Sequence, residues 1–247
     1  MSRIAFVTTC KNRLHHLQQT LPRWVAEEPD EIVVVDYGCP QGTGDWVEAN
    51  HPQVKVLRVS DDPGFCLSRA RNLGAARVSA EWVCFVDADI LVEKGWLAWM
   101  RSNLQEDHFY RPERLHGDAN GTVILPRKAF DAVSGYDTRF RGWGGEDTDL
   151  YHRLECAGWQ QARYPARFAV PIPHEDEERF VYMDTADRLA QLSTNALYLD
   201  AKRVALLLGA SDGELPDTTR SRWREEIEEA VARWTVQAQR ELPSITF

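Results

Sequence analysis

The 247-residue chain carries 29 basic against 38 acidic side chains, a net charge of −9 that argues against nucleic acid or an anionic membrane as the main partner. Its length suits one substantial core, or a core domain with an appendage, and no apolar run reaches the roughly 18 residues needed to span a bilayer. Five scattered cysteines without a C-x-x-C spacing point to neither zinc nor a disulfide framework. No apolar leader precedes the first strand, so a cytoplasmic, reduced setting is expected.

The first part of the chain alternates strand and helix signals. Ile4 to Thr8 reads as a strand, and Arg13 to Trp24 as an amphipathic helix with Leu14, Leu17, Leu21 and Trp24 on one face. Strands follow at Glu31 to Asp36, Val54 to Val59 and Trp82 to Asp87, with helices at Asp45 to Asn50 and Ser68 to Val78 between them. Continuous apolar strands alternating with helices indicate an α/β fold whose parallel sheet is covered on both faces. Beyond Glu93 the pattern changes. A helix is expected over Gly95 to Leu104, a turn at Asn120-Gly121 leading into Thr122 to Leu125, and a short helix over Lys128 to Val133. A glycine-rich loop, Arg141 to Gly145, precedes a helix from Glu146 to Ala157. Phe168 to His174 reads as an edge strand, because its prolines cannot sit in a central one. The rest is all-helical by pattern. Leu189, Ala196, Leu197 and Val204, then Trp223, Ile227, Ala230, Val231, Trp234 and Ala238, form stripes expected to be packing faces.

Two segments carry chemistry. The strand Trp82-Val83-Cys84-Phe85-Val86 ends in Asp87-Ala88-Asp89. Residues i and i+2 of a strand point to one side, so both carboxylates can meet at the sheet's C-terminal edge, where open α/β sheets bind ligands. Converging carboxylates repel unless a cation lies between them, and oxygen donors suit Mg²⁺ or Mn²⁺. The plainer alternative is a pair of turn-opening aspartates.

The second segment is Trp143-Gly144-Gly145-Glu146-Asp147-Thr148-Asp149. Glycines let the backbone approach a ligand closely, and acids at a helix start complement its dipole without any further role. Asp147 shares a helical face with Leu150, Tyr151 and Leu154 and so points inward, where a carboxylate gains the proton affinity of a general base. Trp143 offers a flat face for a sugar ring, or else a hydrophobic plug. Asp149 and Arg153, four apart, read as a surface ion pair.

Asp87-Ala88-Asp89 resembles the Asp-x-Asp signature of GT-A-fold glycosyltransferases, and GWGGEDTDLYHR, from Gly142 to Arg153, is similar to the acceptor segment of β-1,4-galactosyltransferases. Val133-Ser134-Gly135-Tyr136-Asp137 looks like a lead-in shared with glycosyltransferase family 2. Cys10-Lys11-Asn12-Arg13-Leu14 and Ser68-Arg69-Ala70-Arg71-Asn72-Leu73-Gly74 resemble further segments of the same enzymes, in the same order. The likeness implies a Rossmann-like GT-A domain over residues 1–176, with a mixed, mostly parallel sheet flanked by helices, and a helical extension over 177–247. It also implies a metal-dependent, inverting transfer of a hexose or N-acetylhexosamine from a UDP-sugar to a glycan or other hydroxyl-bearing acceptor. By position, Thr8, Lys11, Arg13, Asp36, Arg69, Arg71 and Asp87 would hold the donor. Asp87, Asp89 and His174 would hold Mn²⁺ (or Mg²⁺). Trp143, Gly144, Gly145 and Glu146 would bind the acceptor, with Asp147 as the base.

Two positions depart from the pattern: Lys11 replaces an arginine fork with a point charge, and Thr148 interrupts the run of acids. His15, His16 and His152 lie on helices as surface residues by pattern. The tail could cap the acceptor site, build a homodimer, or rest against a membrane-bound partner as a peripheral contact. A nucleotidyltransferase and a catalytically inert nucleotide-sugar-binding protein are the rival readings. The first wants a glycine-rich phosphate loop that Thr8 to Arg13 lacks, and a dehydrogenase G-x-G-x-x-G is also absent.

Overall fold

The computed structural model describes residues 2–62, 64–113, 121–173, 185–209 and 216–241. Its main sheet has seven strands in the order β3-β2-β1-β4-β7-β6-β8. These are β1 (Ile4–Cys10), β2 (Glu31–Asp36), β3 (Lys55–Arg58), β4 (Trp82–Phe85), β6 (His108–Pro112), β7 (Val123–Pro126) and β8 (Gln160–Tyr164). The first four run parallel, β7 is antiparallel to both β4 and β6, and β6 pairs parallel with β8. The sheet is therefore mixed and mostly parallel, as expected.

Strand alternation builds two cores from one sheet. Ile4, Phe6, Ile32, Val34, Trp82 and Cys84 face one side. There they meet Leu17, Leu21 and Trp24 of α1 (Leu14–Ala26), Val47 of α2 (Thr43–Asn50), and Trp96, Leu97 and Met100 of α4 (Trp96–Asn103). Ala5, Val7, Val33, Val35, Val83 and Phe85 face the other. Their partners are Ala70 and Ala75 of α3 (Leu67–Ala75), Phe130 of α5 (Arg127–Ala132), and Leu150, Tyr151 and Leu154 of α6 (Glu146–Cys156). Each central strand is apolar on both sides because both sides are covered.

From β1 the chain runs outward to β2 and β3, then returns across the sheet to β4. The C-terminal ends of β1 and β4 thus flank a crevice at a topological switch point. Lys11 and Arg13 follow one strand and Asp87 and Asp89 the other.

Several expectations need correction. The segment read as one edge strand over Phe168 to His174 is a 3₁₀ turn, Ala166–Phe168, and a three-residue strand β9 (Ala169–Pro171). It pairs with β5 (Ile90–Val92) in a separate two-stranded sheet, and residue 174 lies outside the described residues. Strands β5, β6 and β8 have no counterpart in the sequence reading. In β8, Gln160-Gln161-Ala162-Arg163-Tyr164, only Tyr164 is fully buried, because the strand lies at the sheet's edge and has no apolar face to display.

The tail holds α7 (Thr185–Leu207) and α8 (Asp217–Glu241). The α7 stripe expected to pack is exposed: Leu189 is 67 % and Val204 55 % accessible. Its buried face is instead polar, with Thr194, Asn195, Tyr198 and Lys202. On α8 Val231 is buried, but Trp234 is exposed. Charge overrode hydropathy. Lys202 Nζ lies 2.8 Å from Asp137 and 2.7 Å from Asp149, and the Tyr198 hydroxyl donates to Asp137 at 2.8 Å. Asp149 and Arg153 are accordingly a buried pair rather than a surface one, and Arg153 also donates to the carbonyls of Val133 and Gly135. His16 is buried in α1, and His152 lines the cleft at the crevice between β1 and β4.

Candidate active site

A cleft of about 860 Å³ opens at the crevice between β1 and β4. Lys11, Arg13, Arg71, Asp87 and Asp89 line it together with Trp143, Gly144, Gly145, Glu146 and Asp147. Asp87 to Asp89 and Trp143 to Thr148 therefore share one cavity, while Asp149 turns away to Arg153 and Lys202. The remaining sequence candidates lie differently. Thr8 is buried in β1. Asp36 accepts hydrogen bonds from the backbone N–H groups of Cys39 and Gly44, both at 2.8 Å, which fixes the start of α2. Arg69 pairs with Asp61 at 2.7 Å and donates to the Tyr37 hydroxyl. None of these three lines the cleft. His174 lies outside the described residues.

The centre of the site is Arg71, 2 % exposed on the inner face of α3. Its Nη2 donates to Asp87 Oδ1 and its Nη1 to Asp147 Oδ1, each at 2.7 Å, with Glu146 Oε1 3.7 Å from Nη1. The guanidinium also lies over Tyr136, 5.0 Å from the ring centroid. One planar cation thus joins the strand-end carboxylate to the helix-start carboxylate, a bridge that a fork can make and a point charge cannot. Burial works against its charge, yet Asp147, Tyr136, Asp87 and Glu146 hold its pKa well above the ordinary value.

The carboxylates respond in turn. Burial and the neighbouring Asp147 push Glu146 up to about 8. Burial raises Asp147 as well, while Arg71 pulls it down and Asp87 pushes it up. Both carboxyls of the pair are thus shifted toward the protonated form, and the Arg71 guanidinium bonded to Asp147 favours charge on that member. On the other flank Asp89 Oδ2 accepts from Arg13 Nη1 at 2.8 Å.

Backbone shape makes this closeness possible. A Cβ at Gly121 would fall 2.4 Å from Asp87 Oδ2, 2.6 Å from Arg71 Nη2 and 3.3 Å from Asp147 Oδ2, so only glycine leaves room for the bridge. Gly142, Gly144 and Gly145 carry φ of +65°, +94° and +97°, a left-handed course that turns the loop back over the cleft and leaves Trp143 half-exposed at its rim. Gly121 read only as a turn signal in the sequence. Arg111, Gln161 and Gln191, which also line the cleft, sit in segments with no motif to announce them.

Two carboxylates at one strand end make a hard oxygen donor set that suits a divalent cation of the Mg²⁺ or Mn²⁺ kind. Among the described residues no group of three or more His, Cys, Asp or Glu side chains is gathered to hold one unaided. No helix among them is long and apolar enough to cross a membrane.

The family described as the N-terminal domain of galactosyltransferase matches residues 101–175, which hold the loop and α6. In sequence, the chain is 25 % identical over 235 residues to a validoxylamine A glucosyltransferase of Streptomyces hygroscopicus subsp. jinggangensis, covering 70 % of this chain and 56 % of that protein. It is 32 % identical over 73 residues to beta-1,4-galactosyltransferase 5 of Danio rerio, covering 28 % of this chain and 18 % of that protein. In structure it is similar to the mannosyltransferase PcManGT of Pyrobaculum calidifontis, solved with GDP-Man and Mn²⁺. The TM-score is 0.63 at 14 % identity, covering 98 % of this chain and 76 % of that one. The fold is GT-A. The chain spans about half the length of the curated relatives it matches first. Within the GT-A sheet the strand-end acids occupy the switch-point crevice, and the acids of α6 face them across Arg71.

Proposed function

We propose that this chain is a metal-dependent, inverting glycosyltransferase that moves a hexose or N-acetylhexosamine from a UDP-sugar to an acceptor hydroxyl. The observation that carries the proposal is the meeting of Asp147 with Asp87 on one buried guanidinium, at the wall of a cleft large enough for both substrates. The likeness to glucosyl- and galactosyltransferases, and to a fold neighbour solved with a nucleotide sugar and Mn²⁺, supports the same reading.

In this reading Lys11, Arg13 and Arg71 supply the positive charge at the donor end, and Asp36 fixes the start of α2. Asp87 and Asp89, with His174, would hold Mn²⁺ or Mg²⁺, which when bound offsets negative charge on the donor's diphosphate. Trp143 gives the acceptor a flat apolar face, and Glu146, whose carboxyl burial and Asp147 push up to about 8, can donate to an acceptor oxygen when it holds its proton. Asp147 takes the acceptor hydroxyl's proton as that oxygen attacks the sugar's C1. The bond from C1 to the phosphate oxygen breaks, and its electron pair leaves with the nucleoside diphosphate. A single displacement inverts the anomeric centre.

The test is transfer with Mn²⁺ and a panel of UDP-sugars and saccharide acceptors. The expected result is UDP release that Asp89→Ala abolishes, and Asp147→Asn protein that binds UDP normally but transfers at least about a hundredfold more slowly. A product that keeps the donor's α configuration by NMR would remove Asp147 from the role of base. Binding of donors with no turnover of any donor and acceptor would indicate an inert binding protein instead.

A further inference from the structure

The tail helix α7 holds the glycine-rich loop at the cleft through a residue that no motif announces. Asn195 is 2 % exposed and lies beneath the glycine-rich loop. Its Nδ2 is 2.9 Å from the carbonyl oxygen of Arg141, 3.1 Å from that of Trp143 and 2.8 Å from that of Gly144. The two hydrogens of one amide thus serve three backbone acceptors of a five-residue loop. The other end of the amide is occupied too: Oδ1 accepts from Arg224 Nη1 of α8 at 2.6 Å. Arg224 is itself buried and is braced by Glu228 at 2.7 Å. This fixes which way the amide faces. Reversed, it would set its oxygen against three carbonyls and its NH₂ against a guanidinium.

The loop needs such a clamp. Three of its five residues are glycines with positive φ, and glycine loses the most conformational freedom on ordering. A turn before Asn195, Gln191 also closes on the loop: a Cβ at Gly142 would fall 2.2 Å from Gln191 Oε1. The loop in turn presents Trp143 and leads without a break into Glu146 and Asp147 at the start of α6.

We infer that Asn195, oriented by Arg224, is a positioning residue that holds the loop Arg141–Gly145 in the shape that receives the acceptor. The tail helices are thereby a structural part of the acceptor end of the cleft. The loop-holding part stands on geometry alone; the acceptor part rests on the functional reading above.

Asn195→Asp is the informative change, since it keeps the size of the side chain and an oxygen for Arg224. Its second oxygen then confronts the three carbonyls with negative charge. The acceptor KM is expected to rise about tenfold or more, with the Kd for UDP and Mn²⁺ within about twofold of wild type. Amide hydrogen exchange in residues 139–147 is expected to accelerate by a similar factor while β1 and β4 keep their protection. Arg224→Gln provides a milder second variant, expected to shift the same two readouts in the same direction by about threefold. Unchanged loop exchange in both variants would overturn the inference. So would a rise in UDP Kd that matches the rise in acceptor KM, which would mean a general loss of structure. Faster loop exchange with an unmoved acceptor KM would overturn the acceptor part while leaving the glycosyltransferase reading intact. Exchange needs no turnover, so a wild-type chain that transfers no sugar would refute that reading and not the clamp.

Discussion

Replacing Arg71 probes the junction on which the site is built. In Arg71→Ala the carboxylates of Asp87, Asp147 and Glu146 stay where they are and lose the cation among them. Arg71 is 2 % exposed, so its attraction to them is little screened by water. Removing one partner of a buried ion pair costs about 3–5 kcal/mol, most of it the penalty of stranding the other charge. Arg71→Lys keeps the charge but can reach only one of the two 2.7 Å partners, so one charge-assisted bond is lost, at about 1.5–3 kcal/mol. The cost must also depend on pH. Arg71 pulls the pKa of Asp147 down, so without it that carboxyl rises further and the stranded charge can be discharged by a proton. Urea unfolding should therefore show Arg71→Ala well below Arg71→Lys at pH 8, with the gap to wild type narrowing at pH 5. The acid limb of the kcat/KM profile should move to higher pH in both. An alanine variant within about 1 kcal/mol of wild type at pH 8, or a penalty that does not shrink on acidification, would show that the bridge does not couple these acids.

Two further outcomes follow from the same charges. Burial and the Asp147 charge raise Glu146 to about 8, so between its ordinary value and that point the folded chain holds a proton the unfolded chain has lost. Wild-type stability should consequently fall as pH rises through that window, and Glu146→Gln should flatten the fall in unfolding curves taken from pH 5 to 8.5. At the tail, burial opposes the charge of Asp137, while Lys202, the Arg139 N–H and the Tyr198 hydroxyl hold its carboxyl well below the usual range. That stabilisation is present above the ordinary aspartate value and is lost as pH falls below it. Lys202→Met should cost about 3–5 kcal/mol at pH 7 and much less near pH 3, with α7 the first element to lose exchange protection.

The sequence carried the inner strands and the two chemical motifs in plain view. β1, β2 and β4 are apolar on both faces because both faces are buried, so composition alone marks them. β8 is an edge strand with mostly polar residues, and β5 and β9 are too short for any period to show. The same logic misled at α7, where the apolar stripe faces solvent and the buried face is polar. There the acids of the lead-in to α6 and of α6 itself, Asp137 and Asp149, recruit Lys202 and Tyr198. A helical wheel measures hydropathy and has no record of what a distant carboxylate will pair with.

By itself the sequence determined that two carboxylates one residue apart follow a buried strand and that a glycine loop opens a helix on three acids, since those are facts of order along the chain; that the strand stops at Phe85 and both aspartates lie in the turn after it was not among them. Which groups would share a proton, which arginine would stand between the two motifs, and which amide from the tail would clamp the loop were decided only when residues as far apart as 71 and 147, or 143 and 195, came within bonding distance. Burial strengthens those contacts, because little water remains to screen or replace them. Neither the partner of a charge nor the depth of its burial is written in its neighbours along the chain.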